Sequence, residues 1–146
     1  MGKGSTLLVG CMIATLFGCA GPGDDEFRRA LQDCYKKDRL ESARLDEEIG
    51  PLLTLKARST LDEGSDCDSR PEGGAYVTYQ LDSDVPPREI VKRFHAAGWV
   101  DLPREEPHCG ETCIIRVGKR VDGRRIELTV DDHRNGKRML EASFVD

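Results

Sequence analysis

The chain is poor in aromatic residues, has no apolar run long enough to cross a bilayer and carries no surplus of positive charge. Aromatics make up 5% of its 146 residues, which allows a modest hydrophobic core and not a large one. The longest mostly apolar stretch, Leu7 to Ala20, holds 14 residues, against the roughly 20 that a spanning helix needs. The formal net charge is −5. Lys3 is the only charged residue before Asp24, so the remainder carries 21 basic and 27 acidic groups, a net of −6. An acidic domain is repelled by phosphate backbones and by anionic headgroups. Nucleic acid is therefore not an expected partner, and the pairs Arg28-Arg29 and Arg124-Arg125 read as solvated surface. The chain also lacks a Gly-rich phosphate loop, a serine nucleophile elbow, an internal repeat and a low-complexity tract.

What is present is concentrated first at the N-terminus. Lys3 precedes the short apolar run Leu7–Ala20, and a positive start followed by a short apolar core is the pattern of an export signal. The run ends in Leu16-Phe17-Gly18-Cys19, which resembles the lipobox of bacterial lipoproteins: an aliphatic residue, a tolerant position, a small residue, then cysteine. The resemblance implies that the Cys19 thiol receives a diacylglyceryl group and that the leader is cut just before it. Residues 1–18 are then a signal peptide, 19–24 a lipid-anchored tether, and 25–146 one domain on the extracytoplasmic side of a cell membrane or outer membrane. Two rivals exist. Leu8-Val9-Gly10-Cys11 fits the string but leaves an apolar core of only a few residues, short of the roughly 7–15 a signal uses. Cleavage after Ala20, with Gly18 and Ala20 as the small pair, would give simple secretion. Two acyl chains hold a protein firmly where one is marginal, so membrane attachment would depend on lipid and not on charge.

The rest of the chain reads as α+β. Asp24 or Asp25 can cap a helix over about 25–38, whose apolar stripe is Phe27, Ala30, Leu31 and Cys34. Residues 39–74 read as irregular, broken by Gly50-Pro51 and ending in a Gly-, Ser- and Asp-rich loop. Ala75 to Leu81 alternates as a half-buried strand. Ser83 or Asp84 can cap a second helix bearing Ile90, Val91 and Phe94, with Gly98 as its stop and Trp99 folding back. Two hairpins follow, turning at Asp122-Gly123 and Asn135-Gly136, because both central positions of a tight hairpin turn must tolerate positive φ. The expected architecture is helix-β-α-β-β-β: a small antiparallel sheet of about four strands with helices on one face and a polar face bearing Arg125, Glu127 and Thr129.

Six cysteines are encoded. With Cys11 in the leader and Cys19 acylated, Cys34, Cys67, Cys109 and Cys113 remain, and an even number in an exported domain reads as two disulfides. Three pairings are possible. Cys34–Cys67 with Cys109–Cys113 is favoured because Gly110 can bend the short loop. The competing metal reading of His108-Cys109-Gly110-Glu111-Thr112-Cys113, with His133 as a fourth ligand, lacks a second ligand pair. Neither a metal nor a cofactor is expected. Asp131-Asp132-His133 could supply an acid and a base, yet beside a turn polar residues are expected anyway. Trp99, Tyr76 and Tyr79 could line a groove, with core packing as the default. The expected function is a lipid-anchored binding or interaction module of the bacterial cell envelope, with the membrane and an envelope protein as partners. The alternatives are a small hydrolase-like enzyme using His133 with Asp131 or Asp132, and an acidic inhibitor or immunity-type protein.

Overall fold

The computed structural model describes residues 22–53, 60–105, 109–133 and 136–145. The lipobox and Cys19 lie outside the described residues, as do His108 and Asn135. A long first helix, α1 (Pro22–Ile49), ends in a 3-10 turn at Gly50–Leu52. The strands β1 (Thr60–Ser65) and β2 (Ala75–Leu81) precede the second helix, α2 (Pro87–Ala96). The strands β3 (Val100–Asp101), β4 (Cys113–Val121), β5 (Arg124–Asp132) and β6 (Arg138–Val145) complete the chain. All six strands form one antiparallel sheet in the order β1-β2-β6-β5-β4-β3.

The α+β class and the disulfide bracing match the sequence expectation. The strand count and element order do not, since the sheet has six strands and two are flanking additions. Residues 39–74 are also more regular than expected: α1 continues to Ile49, and β1 pairs with β2 from Thr60↔Gln80 to Ser65↔Ala75. The buried positions of α1 are Cys34, Asp38, Ser42, Leu45 and Ile49, spaced four, four, three and four apart as one helix face requires. Polar side chains at Asp38 and Ser42 interrupt the apolar pattern and hide the face. The stripe expected from Phe27 and Ala30 is not in the core. Residues 23–30 are all exposed, and the helix overhangs the sheet at its N-terminal end.

Both helices cover one face of the sheet. Leu45 and Ile49 of α1 join Ile90 and Phe94 of α2 and the inward residues Val77, Tyr79, Val117, Ile126, Leu128, Val130 and Leu140 in one core. α2 begins at Pro87 with Pro86, which carries no capping group, at the N-cap, so Ser83 and Asp84 do not cap it as expected; Asp82 accepts from the Asp84 N–H and shapes the preceding turn. Gly98, at φ +84°, ends the helix, and Trp99 turns back to meet Phe94 edge-on at 5.2 Å. Asp122 and Gly123 take positive φ in the β4–β5 hairpin, as a tight hairpin turn of that twist requires. The other sheet face is polar. Arg116 pairs with Glu127 at 2.6 Å, and the segment after β3 crosses over it, placing Leu102 against Gly118.

Candidate functional site

The chemistry-bearing groups gather where α1 meets β1 and the loop that follows it. Cys34 on α1 is joined to Cys67 in that loop, across 33 residues and a Cα–Cα distance of 6.0 Å. One helical turn beyond Cys34, Asp38 is buried to 1% exposure. Its Oδ2 accepts from the Ser65 hydroxyl at 2.6 Å and from the Gly74 N–H at 3.0 Å, and lies 3.2 Å from Cys67 Sγ. Its Oδ1 has no hydrogen-bond partner among the described residues, and Lys37 Nζ stands 4.0 Å away. The loop reaches this acid closely because Gly73 takes φ +73°: a Cβ there would lie 2.6 Å from Cys34 Sγ and 2.8 Å from Asp38 Oδ2. Asp38 therefore fastens strand, loop and disulfide to the helix at once. A buried carboxyl is costly without such partners.

Two cavities flank this junction. On one side lies a polar cleft of ≈ 930 Å³, lined by Gln32, Tyr35, Arg39 and Ser42 of α1 and by Glu63 and Ser65 of β1. On the other lies a smaller, mainly apolar groove of ≈ 470 Å³ between Phe27, Ala30 and Leu31 of α1 and the loop residues Cys67, Arg70 and Pro71. Tyr35 lines the cleft and Asp68 the groove. The Tyr35 hydroxyl donates to Asp68, which holds the phenol above its usual pKa of 10.0 because the hydrogen bond favours the protonated form, with burial and the Asp68 charge adding to the effect.

The second disulfide joins Cys109 and Cys113, as favoured from the sequence, and closes a short loop at the start of β4. It leaves no free thiols for the metal reading of that loop. Cys34, Asp38 and Cys67 bring three potential ligand atoms within 4.8 Å, yet the two sulfurs are bonded to each other, so the cluster as it stands is a bridge beside an acid. The Asp131-Asp132-His133 segment does not converge. Thr112 donates to Asp131 at 2.8 Å, Arg138 pairs with Asp132 at 3.2 Å, and His133 is exposed at the β5–β6 turn, where its backbone bonds Lys137 and Gly136. Trp99 and Tyr79 are core residues, Tyr79 also donating to Asp46, while Tyr76 lies on the opposite sheet face over Gly64. Arg124 pairs with Glu41 and stacks on Phe144, and Arg125 pairs with Glu127.

Sequence reasoning missed Asp38, Ser65 and Gly73. The available signal was the four-residue spacing Cys34-Asp38-Ser42, which carries one helix face on through polar side chains. Compared with known proteins, the chain matches no family model, no curated protein and no solved structure. The fold and junction define a disulfide-braced α+β domain with an acid-centred cleft between α1 and β1.

Proposed function

We propose that this protein is a lipid-anchored extracytoplasmic binding module of a bacterial cell envelope, held by acyl chains on Cys19 and presenting the α1–β1 cleft to its partner. The observation that carries the reading is the pairing of all four downstream cysteines into two disulfides, which suits a chain that folds in an oxidising compartment. The lipobox-like Leu16-Phe17-Gly18-Cys19 supports the anchor. The cleft supports binding: Asp33, Lys36 and Arg39 of α1 and Glu63 of β1 line it together with hydroxyl and amide groups, a mixed polar surface suited to hydrogen-bonded recognition.

A mass spectrum of the protein purified from membranes tests the address. The expected product begins at an acylated Cys19 and is four hydrogens lighter than its fully reduced form. A product beginning at Met1, or one with four titratable thiols, overturns the reading. For the cleft, a photo-reactive residue replacing Arg39 should cross-link to a partner in intact cells, while one replacing Arg88 on α2 should not. Equal cross-linking from both positions removes the cleft as the binding surface.

A further inference from the structure

The first turns of α1 pose a physical problem that the domain does not solve by itself. Phe27 is 68% exposed, Ala30 is exposed, and Leu31 is only half-buried, although the three share one side of the helix. They line the apolar groove with Cys67 and Pro71. A helix end that packs so little against its own domain gains little from burial there. The position of the groove along the chain points to what covers it. Pro22 opens α1 only three residues after Cys19, and three extended residues reach at most about 11 Å. The headgroup region is itself several Å thick on each side of a hydrocarbon core of about 30 Å. An acylated Cys19 would thus hold the start of α1 at the headgroups. Phe27 lies a further ~7.5 Å along the helix axis, so it reaches the bilayer only if the helix lies along the surface.

Resting on the anchored reading above, we propose that the first turns of α1 and the loop around Cys67–Pro71 form the face this domain lays on its own membrane. Phe27 and Leu31 sit in the interfacial region, and the groove is closed by lipid. Glu26 precedes Phe27 on the helix, while Arg70, which lines the groove, and Arg28, which follows Phe27, bring positive charge to this face. Asp24, one turn before Phe27, opposes them, and Asp68 is engaged by Tyr35. The face therefore has no strong charge preference, and apolar contact plus the tether directs it. The polar cleft, further along α1 towards Ser42 and against β1, stays open to solvent.

The test uses the full acylated protein in phosphatidylcholine vesicles with lipids brominated near the top of the acyl chain, which quench tryptophan at that depth. Phe27→Trp places a reporter at an exposed site. Leu40→Trp places another at a site 62% exposed, about 20 Å further along the helix and roughly 220° around its axis. Wild-type protein supplies the background from buried Trp99. The Phe27→Trp reporter should shift to the blue and be quenched, because an interfacial side chain lies at the depth of the brominated segment, and the Leu40→Trp reporter should do neither. If the first reporter is unquenched while mass spectrometry shows acyl on Cys19, the face is wrong and the anchor stands. A blue-shifted but unquenched reporter means protein covers the groove, a second copy or another partner, and overturns the proposal. Equal quenching at both positions overturns it as well, because the domain then has no fixed orientation. Absence of acyl on Cys19 sinks the anchored reading and this face with it.

Discussion

At the scale of single residues, Asp38 and Gly73 act as a pair. The acid satisfies Ser65 and Gly74, and the glycine lets the loop come close enough for it to do so. Gly73→Ala would force an L side chain into positive φ and press its Cβ against the Cys34 sulfur. Gly123 makes the control, at φ +84° with nothing within 4 Å of an added Cβ. Backbone strain alone should cost about 1 kcal/mol at Gly123, while strain plus the clash should cost about 2–4 kcal/mol at Gly73. Urea unfolding of the two variants measures the difference, and equal losses would mean that the junction yields freely. Beyond the Cys34-Asp38-Ser42 spacing, none of this was legible beforehand. An isolated Asp on a helix reads as solvated, and Gly73-Gly74 reads as one more loop signal, because only the fold brings them together.

Glu141 gives a residue-scale prediction in pH. It stands on the polar sheet face, where partial desolvation of its carboxyl raises its pKa above the ordinary 4.5, with the charges of Asp131 and Asp66 adding to the rise. A carboxyl whose folded-state pKa is raised binds its proton more tightly in the native state. Its contribution to stability is fully present below 4.5 and is lost as pH rises through the folded value. Glu141→Gln keeps the shape without the charge. The variant should gain on wild type as pH climbs from 4.5 and hold a constant lead once Glu141 is ionised. Urea midpoints taken from pH 3.5 upward check this, and a lead independent of pH would refute the cause assigned to the shift.

At the scale of elements, legibility followed the purity of the periodic signal. β2, β5 and β6 alternate cleanly and were readable, as were α2 and its glycine stop. β1, with the sequence TLDEGS, was not, since an edge strand with one apolar residue in six has no buried face to advertise. β3 has two residues, too few for any pattern. The second half of α1 was lost because Asp38 and Ser42, one after the other, interrupt its inward apolar face. The disulfides divide the work unequally between these elements. Cys34–Cys67 ties α1 to the far end of β1 across 33 residues, whereas Cys109–Cys113 closes a loop four residues apart. By loop-closure entropy the first should stabilise by about 3–4 kcal/mol and the second by about 2 kcal/mol. Paired Cys→Ala variants should reproduce that order in denaturant midpoints. The larger effect would be expected to grow further because removing Cys34 and Cys67 also strips contacts from Asp38.

At the scale of the whole molecule, an acidic domain built on an antiparallel sheet follows the apolar run Leu7–Ala20, and the two favour opposite environments. The sheet guards its own margins. β3 is short, and β1 carries Asp62 and Glu63 on the outer edge, so unwanted strand addition meets charge on one side and little backbone on the other. No described helix is long and apolar enough to cross a membrane, and a net charge of −6 beyond Lys3 repels anionic headgroups. On the proposed reading, lipid on Cys19 supplies the attachment that outweighs this repulsion, and the dependence on salt should show it. A protein held by charge leaves its membrane as salt screens the attraction over about 3 Å at 1 M. Wild-type protein should remain with membranes in 1 M salt and enter the detergent-rich phase on phase separation. Cys19→Ala should move to the aqueous phase at every salt concentration, and raising salt should not detach the wild type. Release of the wild type by salt alone would show that surface charge holds it, contrary to the sign of its own electrostatics.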